Sequence, residues 1–272
     1  MRQADAGKVA ARVGAATMAV GGLTVGRLGR PVDHDLVVLK VVTDTDRPLA
    51  VLWNYAIHGT MLGTRNLELS GDVMGMASRR VETMLGVPAV FVNGAVGDVS
   101  PERHGRAEAE AAAETLASAV REVWTRTRAA ATQRLLLAER RVKLPAPRLS
   151  LRNCLGGWTP SWLSVPLDGA FPRHARLIAG LLGDAAWVAI PGELQSDLGR
   201  EIKGRAGARA RHAFVAGVSN GYTGYFVTAA DYAQVAYVTC GSLYGREAGP
   251  YIAKSAGDLL ANLTSSTGGE SR

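Results

Sequence analysis

Val37-Val-Leu-Lys-Val-Val-Thr-Asp-Thr-Asp-Arg-Pro-Leu-Ala-Val-Leu-Trp-Asn-Tyr55 contains two short apolar runs, 37–42 and 49–55, split by the polar stretch 43–47. Val- and Leu-rich runs of this length, joined through Asp and Thr, predict two buried strands connected by a turn. His58 then falls just past a strand end. Further on, Ser70, Gly71 and Asp72 supply capping chemistry ahead of Val73, Met76, Ala77 and Val81, which share one helical face. A helix is therefore expected over 73–85, followed by a third strand over 88–92. Strands interleaved with helices in this way set the fold class as α/β, with mixed β-sheets flanked by helices in a layered sandwich.

The same reading extends along the chain. An alanine-rich, charge-laced segment with Leu116, Val120 and Trp124 at helical spacing predicts a long helix over 105–127. Strands are expected at 134–144, 185–190 and 212–218, and helices at 195–203 and 249–263. Residues 145–172, rich in Pro, Gly, Ser and Trp, read as a long irregular loop, either a lid or a plain connection. The first 30 residues read as a helix and a strand, and the Ser, Thr and Gly tail as disordered. No internal repeat is evident, and the 272 residues are expected to form one domain.

Composition narrows the functional classes. With 47% hydrophobic and 20% charged residues, the chain is that of a folded globular protein. Its net charge of +7 comes from scattered arginines, among them Arg79, Arg80, Arg140 and Arg141. No block interleaves basic and aromatic residues as a nucleic-acid groove does, so no nucleic-acid partner is expected. Residues 9–26 are apolar but interrupted by Arg12, which makes a poor membrane span and leaves a soluble chain as the expectation. The two cysteines, Cys154 and Cys240, form no metal knuckle; two free buried thiols are expected, with one bridge as the alternative.

Three times a Val-rich strand runs into a Gly-containing turn with reactive side chains beside it: Asn54-Tyr-Ala-Ile-His-Gly-Thr60, Asn93-Gly-Ala-Val-Gly-Asp-Val-Ser-Pro101 and Ile190-Pro-Gly-Glu193. Catalytic groups collect at strand ends, where a sheet holds them rigidly and glycine lets backbone approach substrate. Taken singly, each has a plainer reading. His58 reads also as a histidine hydrogen-bonded at a strand end, Ser100 as part of a Ser-Pro turn, and Glu193 as the N-cap region of the next helix.

Taken together, these stretches resemble the neutral, non-lysosomal ceramidase family. The resemblance rests on Trp53-Asn-Tyr-Ala-Ile-His-Gly-Thr60, Leu69-Ser-Gly-Asp72, the 93–101 and 190–193 stretches, Asn220-Gly-Tyr-Thr-Gly-Tyr225 and Asp231-Tyr-Ala-Gln234 leading to Tyr237. Order and spacing agree from about Pro31 to Pro250. The resemblance implies a zinc-dependent amidohydrolase that cleaves the N-acyl amide bond of ceramide or a related acylated lipid. In it His58, Glu193 and Tyr225 ligate zinc and Ser100 is the nucleophile. Tyr237 donates to the tetrahedral intermediate, and Gly97, Asp98 and Arg27 contact substrate, with Arg30 the alternative to Arg27. The implied partners are a lipid substrate and peripheral contact with a membrane surface, with no obligate protein partner.

One element of the pattern is missing. The family carries a further histidine ligand upstream, in a Thr-His-Thr-His-like segment, and none stands here. His34, His104, His174 and His212 do not match it. An N-terminally incomplete catalytic domain is the expectation; the alternative is a non-catalytic lipid- or partner-binding remnant that has lost a ligand.

Overall fold

The computed structural model describes residues 5–130 and 135–265; Arg134 and the expected tail from residue 266 on lie outside the described residues. The first half runs through β1 (Arg12–Ala19), β2 (Thr24–Gly26), β3 (Asp35–Val42), β4 (Pro48–Tyr55), α1 (Asp72–Leu85), β5 (Ala89–Asn93), β6 (Val99–Pro101) and α2 (Arg106–Arg126). The second half runs through β7 (Leu136–Lys143), β8 (Arg148–Ser150), α3 (Leu151–Leu155), β9 (Ser164–Pro166), β10 (His174–Leu182), β11 (Ala185–Ala189), β12 (Glu193–Leu194), α4 (Ser196–Gly204), β13 (His212–Ala216), β14 (Tyr225–Phe226), α5 (Tyr237–Cys240) and α6 (Ala248–Ser265).

Two four-stranded mixed sheets form the centre, ordered β1-β3-β4-β5 and β7-β10-β11-β13. Alternation along each strand separates the layers, because successive side chains of a strand point to opposite faces. Leu36, Val38, Trp53 and Tyr55 turn toward α1 and α2, whereas Val37, Leu39 and Leu52 meet Ala185, Ala189, Phe214 and Ala216 of the second sheet. Leu177, Leu181, Val188 and Val215 face outward again, into the core that includes α4 and α6. The result is helix, sheet, sheet, helix: the layered α/β sandwich expected from the sequence. Each large aliphatic side chain buried this way contributes about 1.5–3 kcal/mol.

Both halves use one topology. In each, two successive antiparallel pairings are followed by a parallel one: β1–β3, β3–β4, then β4–β5, and β7–β10, β10–β11, then β11–β13. A helix, α1 or α4, bridges each parallel pair, as parallel strands require. The sequence carries no evident internal repeat, so this likeness is one of topology. Little of it survives in sequence beyond Phe91-Val-Asn-Gly94 and Phe214-Val-Ala-Gly217. Topology needs only the pattern of burial, which many residues satisfy.

Three local expectations are corrected. Residues 12–19 form a strand where a helix was expected among the first 30, because all eight find partners along β3; long-range pairing overrides the propensity of a small-residue segment. Residues 145–172 are not wholly irregular: β8 pairs β9, with α3 between them. Strand β10, assigned no element from sequence, is the partner of both β7 and β11. Gly183, at φ +65°, begins the two-residue Gly-Asp turn from β10 into β11, a hairpin signal present in the sequence.

Cys154 and Cys240 are disulfide-bonded rather than free, which overturns the two-thiol expectation. Packing brings α3 against α5, and Asn153 donates to the carbonyls of Tyr232 (2.9 Å) and Thr239 (3.3 Å) beside the bridge. Such proximity is invisible to a cysteine count. Because the bridge closes a span of 86 residues, its reduction is expected to lower the unfolding free energy by about 2–4 kcal/mol. Urea denaturation with and without reductant measures this; coincident curves, with reduction verified by thiol titration, would show that the bridge adds nothing.

Candidate active site

The parallel pairs put the C-terminal ends of β4 and β5 on one edge and those of β11 and β13 on another, and the packing of the sheets joins the two edges. Asn54, buried near the end of β4, donates its side-chain amide to Val92 O (2.9 Å) in the first sheet and Val215 O (3.0 Å) in the second. Gly217 N donates to Asn93 O (2.9 Å), so the turn after β13 lies directly on the turn after β5. Gly97 N donates to Leu194 O (2.8 Å), and a Cβ on Gly97 would lie 2.6 Å from Glu193 O. Only glycine permits that approach.

Each site residue is held by its own loop. Asp72, in the first turn of α1, accepts from Met61 N (3.2 Å) and Leu62 N (3.0 Å) and so ties down the turn that follows His58. Glu193 pairs with Tyr225 in the short parallel β12–β14 ladder, which places carboxylate and phenol side by side. The turn leading to Tyr225 is strained: Val218 and Asn220 sit at φ +52° and +64°, the former a conformation that β-branched residues rarely adopt.

His58, Glu193, Tyr222, Tyr225 and Tyr237 form one connected cluster. His58 Nε2 lies 3.3 Å from Glu193 Oε2 and 3.1 Å from Val96 O. Tyr222 donates to Glu193 Oε1 (2.9 Å), and the Tyr225 hydroxyl lies 3.5 Å from that of Tyr237, with the two rings edge to face. Burial pushes the Glu193 carboxyl up, but the adjacent His58 ring and the hydrogen bond from Tyr222 outweigh it and hold the group below its ordinary range. Burial, with the neighbouring Tyr237 and Glu193, pushes the Tyr225 phenol far up, and burial and Glu193 do the same to Tyr222. The carboxylate is thus charged near neutral pH while Tyr222 and Tyr225 keep their protons.

The remaining predicted residues are placed as follows. Ser100 is half-buried on β6, opposite Val25 of β2, and among the described residues its hydroxyl has no hydrogen-bond partner. Tyr237 is 71% exposed, at the rim. Asp98 is wholly buried; it accepts from Ser196 N (2.8 Å) at the start of α4, and its carbonyl accepts from Arg27 N (2.6 Å). Arg27 itself is exposed. Arg30 is the engaged arginine, bound to Asp231 (3.0 Å), which also accepts from Gln195 (2.8 Å), Thr228 and Gln234. Neither Tyr222 nor Gln195 was assigned a role from sequence, although Tyr222 stands inside the 220–225 motif.

No family model matches the sequence, and no curated protein does. Solved structures do. Over 93% of its length the chain superposes on 52% of the neutral ceramidase from Pseudomonas aeruginosa, with a TM-score of 0.76 and 16% identity. Over 96% it superposes on 55% of a ceramidase complexed with C2, with a TM-score of 0.78 and 15% identity. The chain has the neutral ceramidase fold. It spans about half the length of those two proteins. At such low identity the likeness is one of fold, and the chemistry must be argued from the side chains.

Burial raises the pKa of Asp98, so ionising it costs stability: the folded state loses stability as pH rises from the ordinary carboxylate range through the raised value. Asp98→Asn keeps an acceptor for Ser196 N and removes that charge. Its melting temperature relative to the parent protein is expected to climb between about pH 4 and about pH 8. A constant difference across that range, read by thermal melts, would rule out the anomalous titration.

Proposed function

We propose that the chain carries the larger part of a zinc-assisted amide hydrolase site that cleaves the N-acyl bond of ceramide or a related acylated lipid. The observation that carries this reading is Glu193 Oε2: it is buried, has no hydrogen-bond partner and lies 3.3 Å from His58 Nε2. A buried carboxylate oxygen left unsatisfied is costly and calls for a cation or proton at that point. Imidazole, carboxylate and phenol make up the nitrogen and oxygen donor set that zinc accepts, so His58, Glu193 and Tyr225 would hold it. Among the described residues no group of three or more His, Cys, Asp or Glu side chains converges, so the set is short of a closed four-ligand site.

When bound, zinc supplies Lewis-acid polarisation of the amide carbonyl and a lowered pKa for a nearby hydroxyl or water. The chain's own groups supply the rest. Ser100, with its hydroxyl not committed to another residue, is the nucleophile that forms the acyl bond as the amine leaves. Tyr237, exposed at the rim and supported by the protonated Tyr225, donates to the oxygen on which charge develops. The Gly97 amide donates to Leu194 O and so fixes the loop on which the substrate contacts of Gly97 and Asp98 are proposed.

Ser100→Ala is expected to lower turnover of an N-acyl fluorogenic amide by about a thousandfold while leaving bound zinc unchanged. His58→Ala is expected to lower both, with zinc occupancy down about tenfold or more. Elemental analysis beside the activity assay separates the two. Normal turnover by Ser100→Ala would remove the nucleophile assignment, and protein that binds no zinc and turns over no amide would favour the non-catalytic lipid- or partner-binding remnant.

A further inference from the structure

The strained turn between β13 and β14 is strapped to the stretch that carries Glu193. Its left-handed backbone at Val218 and Asn220 continues at Gly221 (φ +137°) and Gly224 (φ +81°). Conformations of this kind persist only where surrounding bonds fix them, and here the bonds run to residues 190–193. Ser219 N donates to Ile190 O (2.9 Å), Val218 N to Gly192 O (3.1 Å) and Thr223 Oγ1 to Pro191 O, while Glu193 N donates to Gly224 O (2.9 Å). A Cβ on Gly192 would stand 2.8 Å from Gly224 O and 2.9 Å from Thr223 Oγ1, so the two segments close on each other only with glycine there.

From this turn the Tyr222 side chain reaches back to Glu193 and donates to Oε1 (2.9 Å). A carboxylate can rotate about its last bond and offer either oxygen to a cation. With Oε1 held by Tyr222, the oxygen left buried without a hydrogen bond is Oε2, 3.3 Å from His58 Nε2. The ring of Tyr222 is 46% exposed and adds little to the core, so the hydrogen bond is its principal contribution at this point. Groups that hydrogen-bond a ligating carboxylate without touching the metal fix its orientation, and their removal weakens metal binding.

We propose that Tyr222 is a positioning residue, which fixes the Glu193 carboxylate so that Oε2 faces a cation shared with His58, and that the strained turn serves to hold its phenol there. This rests on the zinc reading of the site. The test uses the full chain and needs no turnover: zinc affinity is measured by competition with a chromophoric chelator, and the visible absorption spectrum is recorded with Co²⁺ in place of zinc, for the parent protein and for Tyr222→Phe. The variant is expected to bind zinc roughly tenfold or more weakly and to shift the cobalt bands. Its far-UV circular dichroism should match the parent's, because phenylalanine keeps the half-exposed ring, so the change in affinity reads the site and not the fold. Unchanged zinc affinity and an unchanged cobalt spectrum in Tyr222→Phe would overturn the positioning role and leave the zinc reading standing. A loss of affinity that tracks a loss of folded signal would make the role structural and overturn it too. A parent protein that binds neither metal would remove the zinc reading and this inference together.

Discussion

The close contact of two strand-end loops at Gly97 is the constraint from which the rest of the structure follows. One backbone hydrogen bond, from Gly97 to Leu194, and a separation too small for any side chain bring the turn after β5 against the segment that carries Glu193. Asn54 reinforces the joint by donating to the last strand of both sheets from a single buried amide. Amide groups are costly to bury unless satisfied, so this one holds only when both sheets are in place. Cohesion of the two sheets and assembly of the site are the same event.

The repeated topology explains why the site lies where it does. In each half, the functional loops follow the two strands that run parallel, and parallel strands expose their C-terminal ends on a common edge. His58 and Ser100 come from the first half, Glu193 and Tyr225 from the second. Neither half contains the cluster alone. The imidazole–carboxylate contact at 3.3 Å crosses the junction between them, and so does the ladder contact that carries Gly97.

Two departures from ordinary packing stand at this junction. Glu193 Oε2 is buried without a hydrogen bond, and Val218 adopts a left-handed backbone conformation that costs energy of order 1–3 kcal/mol. Local departures from the rules of stability mark the places where a folded chain does something other than fold.

Burial patterns are local, and they were legible in the sequence: the Val-rich strands around His58, the helices expected over 73–85 and 105–127 and found over 72–85 and 106–126, and the layered α/β class all followed from periodicity and turn or capping signals. The strand-end motifs singled out His58, Ser100 and Glu193, and the family resemblance added Tyr225, before any contact was known. What the sequence left open depends on contacts between distant residues. The pairing of β1 along β3, the joining of Cys154 to Cys240, the duplication of topology in the two sheets, and the placing of Tyr222 on Glu193 all needed the tertiary structure. Periodicity records which face of an element is apolar; it carries no record of which other element covers that face, and a site built across two sheets exists only once that choice is made.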